Sequence, residues 1–278
     1  MKKAILVLAL LAVAALASDP RHMVLGNDAR LLNNDYLEMW AYPGTVGDYE
    51  FVTGSSNNPG GNADGWFGMT KDFGGQTFGV TVNHMGYSHE VLYSPGGWGA
   101  ILSLNYDKFY NVEENYQTEM ALGLAWGTDI DLFGNYTDLA LGLTYDDMSE
   151  DIEDVNPYET DLGFGAGVRG HQDDFFNLFP IINVSYSQHA IGDDDMEMTQ
   201  SDIMFDFGAG HNAMIAEKTN LISGAFVGVM SRSYGGDGNE DADSDMYIYI
   251  PSLKGGVEQE VSHWLTFRAG AQSYTTYH

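Results

Sequence analysis

The 278-residue sequence contains no cysteine. That excludes disulfide scaffolds, thiolate-bound zinc or iron–sulfur centres, a cysteine nucleophile and a lipoprotein acyl anchor. Basic residues are scarce: 11 Lys and Arg stand against 40 Asp and Glu, a formal charge of -29. Nucleic-acid binding needs clustered cations to release phosphate counterions, so nucleic acid is excluded as a partner. Beyond the N-terminus no run reaches the roughly 18 apolar residues of a transmembrane helix. Hydrophobic residues at 44% and aromatics at 13% are too abundant for a disordered acidic chain.

What is present begins with an address. Lys2 and Lys3 precede an apolar run from Ala4 to Leu16, and Ala15-Leu16-Ala17 has the A-x-A form that signal peptidase accepts. Residues 1–17 are expected to be a cleaved secretory signal peptide, since the run is shorter than the ~20 residues of a spanning helix.

From residue 62 onward the hydrophobic period is two. Met120, Leu122, Leu124 and Trp126 alternate with Glu119, Ala121, Gly123 and Ala125; Leu139, Leu141, Leu143 and Tyr145 alternate with Asp138, Ala140, Gly142 and Thr144. In 98–107 only Ile101 breaks the pattern. A helix would place such residues on opposite sides, so these are strands. About eleven runs are predicted, with a twelfth strand at 48–54. Each spans ~9–13 residues, longer than the 5–6 of globular strands and matched to a tilted bilayer crossing. Segment 86–96 is expected to be a loop.

Alternation alone does not say which face is outside. The apolar face meets lipid in a membrane barrel and a dry core in a soluble one. Strand length favours lipid. So do aromatics near strand ends, Trp66, Trp98, Tyr106, Trp126, Tyr145 and Trp264, which are expected at the membrane interfaces. The opposite face is small and polar, as befits a lumen. Asp138, Asp161, Asp202 and Asp206 fall on it, with Arg169 as the visible counter-charge. Glycines on it (Gly123, Gly142, Gly163, Gly165, Gly167, Gly208) leave room for water or for another segment. The expected fold is therefore all-β: an antiparallel up-and-down transmembrane β-barrel of about 12 strands (range 10–14) over residues 48–278, which implies an even count.

Acid-rich stretches at 146–159, 191–197 and 235–245 read as outward loops, alternating with shorter turns. Asp237, Asp241, Asp243 and Asp245 are weak calcium candidates. The run lacks the glycine and the terminal glutamate of an EF-hand loop, since Ala242 and Ile248 stand there. No resident cofactor is expected beyond loosely held Ca²⁺ or Mg²⁺. His84 with His89, His171 with Asp173 and Asp174, and His211 are catalytic or metal candidates by residue type alone, so the chain is expected not to be an enzyme. Residues 18–47 form an N-terminal segment. Leu31, Leu32, Tyr36 and Met39 fit helical spacing, Asp28 is a cap and Pro43-Gly44 a stop. It reads either as a periplasmic linker or as a short helix closing the barrel.

Gly256-Val257-Glu258, followed by Leu265-Thr266-Phe267-Arg268-Ala269-Gly270, resembles the late hairpin of outer-membrane barrels of the long-chain fatty-acid transporter and PorV type. Asp28-Ala29-Arg30, Asn34-Asp35 and Pro43-Gly44 are loosely similar to their N-terminal segment, with Tyr42 where those carry asparagine. The resemblance covers about 40 residues and implies the bacterial outer membrane. It also implies a bilayer with lipopolysaccharide and the barrel-assembly machinery as partners. That machinery reads a terminal aromatic. Here Tyr277 is penultimate, which reads as a variant signal or as a sequence short of one or more strands.

Three functions remain open at this point. One is a passive porin-like pore for small solutes with a cation preference, for which a homo-oligomer is an open expectation. Another is a plugged barrel acting as scaffold, adhesin or transporter of hydrophobic substrates. The third is a secreted soluble β-protein binding carbohydrate or calcium.

Overall fold

The computed structural model describes residues 29–31, 36–57, 64–84, 88–110, 116–132, 135–151, 157–171, 178–193, 197–236, 244–262, 265–273 and 275–277. Residues 1–17, Trp264, Asp237, Asp241 and Asp243 lie outside them.

Three 3-10 turns (Ala29–Leu31, Tyr36–Trp40, Pro43–Asp48) precede the strands β1 (Val52–Asn57), β2 (Asp64–Asp72), β3 (Thr77–His84), β4 (Ser88–Ser94), β5 (Trp98–Tyr110), β6 (Tyr116–Leu132) and β7 (Asn135–Asp151). Then come β8 (Tyr158–Gly170), β9 (Phe179–Gly192), β10 (Glu197–Ala216), β11 (Thr219–Gly236), β12 (Ser244–Ser262), β13 (Leu265–Ser273) and β14 (Thr276–Tyr277). They form one sheet in which each strand from β1 to β13 pairs antiparallel with its neighbours in sequence. β14 pairs with Ile248 and Tyr249 of β12, beyond the stretch that pairs with β13. Among the described residues no pairing joins β1 to β13 or β14.

The sheet is nonetheless strongly curled. Leu31 packs against Ile222 and Phe226 of β11, while Tyr36, five residues on, reaches Thr53 on β1. Ten strand spacings laid flat would separate β1 from β11 by roughly 48 Å. Five residues span at most about 18 Å and their side chains add about 20 Å, so the wall bends around the segment.

The strand path exceeds the expected twelve because residues 88–94 form β4 rather than a loop. Here apolar-out alternation fails for a physical reason. Val91 faces out, but Leu92 faces in and is fully buried. The acid-rich stretches also differ from expectation. Asp146 to Asp151 continue β7, Glu159 lies on β8, Glu197 on β10 and Asp245 on β12. Strands β10 and β12 reach 20 and 19 residues, more than a bilayer requires, so they project past it with their acids.

Connections at one rim are short: 73–76, 95–97, 133–134 and 217–218 among them. Glycine pairs make two of these turns possible, Gly74-Gly75 and Gly96-Gly97, all with φ between 76° and 92°. Asp72 closes the first by accepting from the Gly74 and Gly75 amides at 3.1 and 3.0 Å.

The outer face is apolar and open to the surroundings. Phe67, Val80, Leu102, Leu124, Leu143, Phe164, Val184, Phe205 and Val227 are each 41–53% exposed. In register, Leu139, Val168, Ile182, Phe207 and Val227 form one row, and Leu141, Ala166, Val184, Phe205 and Val229 the next. Such a contiguous belt is not tolerated in water. It is the lipid-facing surface of an outer-membrane barrel wall. Lipid therefore surrounds it.

Candidate functional site

The inner face carries the chemistry. Odd-numbered outward positions on β10 leave Asp202, Asp206, Gly208 and Gly210 inside, and the same parity places Asp138, Asp161 and Arg169 inside on β7 and β8. Against this wall lies the N-terminal segment. Leu31, Met39 and Val46 are fully buried, and Leu37 and Tyr42 nearly so.

Two apolar clusters hold it. Leu31 and Leu37 pack with Phe179, Ile181, Ile222 and Phe226 of the wall. Met39 and Val46 pack with Leu92 and Ile101. The single break in alternation at Ile101 is thus a contact with the segment. Glycine provides close approach elsewhere: a Cβ on Gly99 would run into the Pro43 carbonyl, and one on Gly127 would lie 2.6 Å from the Gly44 nitrogen. Where one of the two readings of this stretch expects a short helix, the structure has three 3-10 turns. Pro43 and Gly44 interrupt the stretch, and each short turn follows the wall instead of its own axis.

Polar ties cross the same boundary. Arg169, 5% exposed, donates from Nε to Asp138 Oδ2 at 2.7 Å and from Nη2 to Glu38 Oε2 at 3.1 Å. Its guanidinium lies 4.2 Å over the Tyr42 ring. His171 Nε2 lies 3.1 Å from Asp138 Oδ1. The Tyr49 hydroxyl donates to Glu38. Arg30 donates to both oxygens of Asp206 at 3.1 and 2.8 Å, and Asn183 Nδ2 donates to Asp206 Oδ1 at 2.7 Å. Trp40 Nε1 and Thr81 Oγ1 both donate to Glu90 Oε2, at 2.9 and 2.7 Å.

Burial pushes the Glu38 carboxyl above its ordinary value, opposed by Arg169 and the Tyr49 hydrogen bond. Burial, then the Glu38 charge, pushes the Tyr49 phenol well above its usual range. Asp48 is raised by burial and by Asp138. His171 is raised, first by its hydrogen bond to Asp138.

The upper wall, toward the longer connections, is different. Asp202 takes a two-point contact from Arg232, 2.8 Å at each oxygen. Beside it Asp161 meets His189 Nδ1 at 2.9 Å, with Glu159 at 3.7 Å from the same nitrogen. Asp146 stands opposite Asp161 in register. Asp129, Asp138 and His171, and likewise Glu159, Asp161 and His189, bring ligand atoms within 4.8 Å of one another. Asp245, the one described calcium candidate, stands opposite Arg232 in register and accepts from the Tyr247 hydroxyl at 3.4 Å.

Of the aromatics, Trp98 and Tyr106 face outward, 36% and 64% exposed. Trp98 belongs to a chain of outward rings at the short-turn rim, Phe73–Phe78–Tyr93–Trp98, with centroids 4.9–6.2 Å apart. Trp126 and Tyr145 share the outward parity of their strands and are half-buried. Trp66 does not lie at an interface. It turns inward, edge-on to Trp40 at 6.5 Å, because Phe67 and Met69 take the outward positions of β2. The Glu258 and Arg268 of the resembling hairpin pair at 2.8 Å across β12 and β13. Arg30, Glu38, Glu90, Asn183, His189 and Arg232 were invisible as partners in the sequence. Strand parity alone would have placed Arg232, Asn183 and His189 inside.

No family model and no curated protein matches the sequence. Among solved structures the chain is similar to a loop-L8 deletion mutant of OmpT, an outer membrane protein of Vibrio cholerae. The TM-score is 0.39 at 9% identity, over 81% of this chain and 90% of that one. It is also similar to in-vitro folded OmpT of the same organism in its trimer form, with TM-score 0.37 at 8% identity, over 81% and 86%. The expectation of a non-enzyme does not stand as a conclusion. The similar structures are OmpT proteins, and a likeness of fold at such identity leaves enzyme status unestablished.

Proposed function

We propose that this outer-membrane barrel is a conduit for small solutes, constricted by its own N-terminal segment and favouring cations. The observation that carries the reading is the Arg169 clamp. One wall guanidinium grips Asp138 of its neighbouring strand and Glu38 of the segment. A linker in the periplasm would have no reason to place Leu31, Met39 and Val46 out of solvent against the inner wall. The cation preference follows from the upper wall, where Glu119, Asp146, Glu159 and Asp161 face inward with the His189 imidazole among them. A like-signed mouth of this kind concentrates counter-ions.

Planar-bilayer recording of the folded chain tests this. Small single-channel steps with a cation-directed reversal potential are expected in a KCl gradient, with larger steps after deletion of residues 22–45. Anion selectivity, or silence from both proteins, rejects the conduit. Silence from the intact chain with steps from the deletion selects the second reading, a barrel fully plugged by the segment. The dry contacts of Leu31 with Ile222 and Phe226 favour that second reading.

A further inference from the structure

We infer that the inner wall holds a binding site for a neutral, polyhydroxylated ring of monosaccharide size, between the N-terminal segment and strands β6–β10. A cavity of about 330 Å³ lies there, at the small end of the roughly 300–1,000 Å³ of ligand pockets. It suits one ring rather than a chain. Glycine explains its shape. At Gly99 and Gly127 the missing side chain makes room for Pro43 and Gly44, but a Cβ on Gly142 or Gly165 would meet nothing within 4 Å. Those two glycines line the cavity and face open space, not a packing partner.

Two kinds of surface meet in the cavity. One is a fixed polar edge. Asp206 accepts two contacts from Arg30 and one from Asn183, and all three residues line the cavity with Ser185. A carboxylate offers about four acceptor positions, so Asp206 keeps capacity for a hydroxyl. The other surface is apolar: the Trp40 indole, held by its hydrogen bond to Glu90, with Ala125 and Ala140. A sugar ring presents the same pair, hydroxyls around its edge and C–H groups on its faces. Arg30 and Asp206 neutralise each other, so the edge selects hydrogen-bonding capacity over charge. This goes beyond the conduit reading. Equilibrium binding requires no conduction, and either finding can fail alone.

Isothermal titration of the detergent-folded full chain with D-glucose, glucosamine, glucuronate and cyclohexanol provides the test. Glucose is expected to bind best, with a Kd on the order of 1 mM. Gly165→Leu projects an isobutyl group into the cavity from a position where a Cβ meets nothing within 4 Å, and Asn183→Leu removes one donor. Each is expected to weaken glucose binding roughly tenfold or more while keeping the heat-dependent gel shift of a folded barrel. Absence of glucose binding overturns the proposal. So does tighter binding of the charged sugars or of cyclohexanol, and so does unchanged affinity in Gly165→Leu.

Discussion

The lower and upper parts of the inner wall are built from the same strands and the same acidic composition, yet they handle charge in opposite ways. Below, wall carboxylates are tied to the segment: Asp206 to Arg30 and Glu90 to Trp40 directly, and Asp138 through Arg169, which also holds Glu38. Above, Asp202 has Arg232, but Asp146 and Asp161 face each other and share their neighbourhood with Glu159 and a single imidazole. The lower wall therefore spends its charge on holding a segment. The upper wall leaves a field.

Arg169→Leu should break this contrast most severely. It strands Glu38 and Asp138, both under 5% exposed, without their shared cation. Leaving buried charges unpaired costs about 3–5 kcal/mol. A lowered midpoint in urea unfolding should accompany larger conductance steps. A loss below about 1 kcal/mol would mean that the clamp positions nothing.

Met39→Ala acts on the same boundary through packing. Met39 is fully buried against Val46, Leu92 and Ile101, and such truncations cost about 2–5 kcal/mol. The lower figure is expected, because the segment is short and can settle. Protease sensitivity near residues 36–48 would report loosening of the segment without loss of the barrel, which unfolding midpoints alone do not separate.

These two substitutions also mark what the sequence could and could not disclose. The lipid face was legible because its rule is simple: alternate apolar residues over long runs, as in Leu139 to Tyr145. Asp138, Asp161, Asp202, Asp206 and Arg169 followed from the same parity. The inner face obeys no such rule where the segment covers it. Leu92, Ile101, Phe179 and Ile222 are apolar and face inward, so alternation weakened at those positions, and β4 passed for a loop. The segment itself was ambiguous because its partners are distant in sequence: Glu38 and Arg169 are 131 residues apart. No local spacing encodes such a pair. Trp66 misled for the same reason, its target being Trp40 rather than lipid.

His171 tests the lower wall by pH. Its hydrogen bond to Asp138 raises it above the ordinary 6.5, so the folded protein binds the proton more tightly than the unfolded chain. The contribution is complete below pH 6.5 and fades as pH rises through the raised folded value. The ring is about half exposed, which limits the effect to below about 1 kcal/mol. Unfolding midpoints of the parent and of His171→Gln should differ at pH 5.5 and converge by pH 9. A gap that widens with pH would reverse the assignment of the proton.

The smallest stability effect is expected from the upper wall, where the functional effect should be clear. In Asp146→Asn with Asp161→Asn, two opposed carboxylates are replaced by amides of the same shape. Like charges directly opposite on neighbouring strands are destabilising by a few tenths of a kcal/mol, so the double variant should be equal to the parent or slightly more stable. Its reversal potential in a KCl gradient should move toward zero, because half of the inward carboxylates among Glu119, Asp146, Glu159 and Asp161 are gone. Neutralising Asp206 instead should release Arg30 and Asn183 and loosen the segment, with a stability loss and little change in selectivity. If the two variants exchanged these signatures, the division between a holding lower wall and a field-forming upper wall would be wrong.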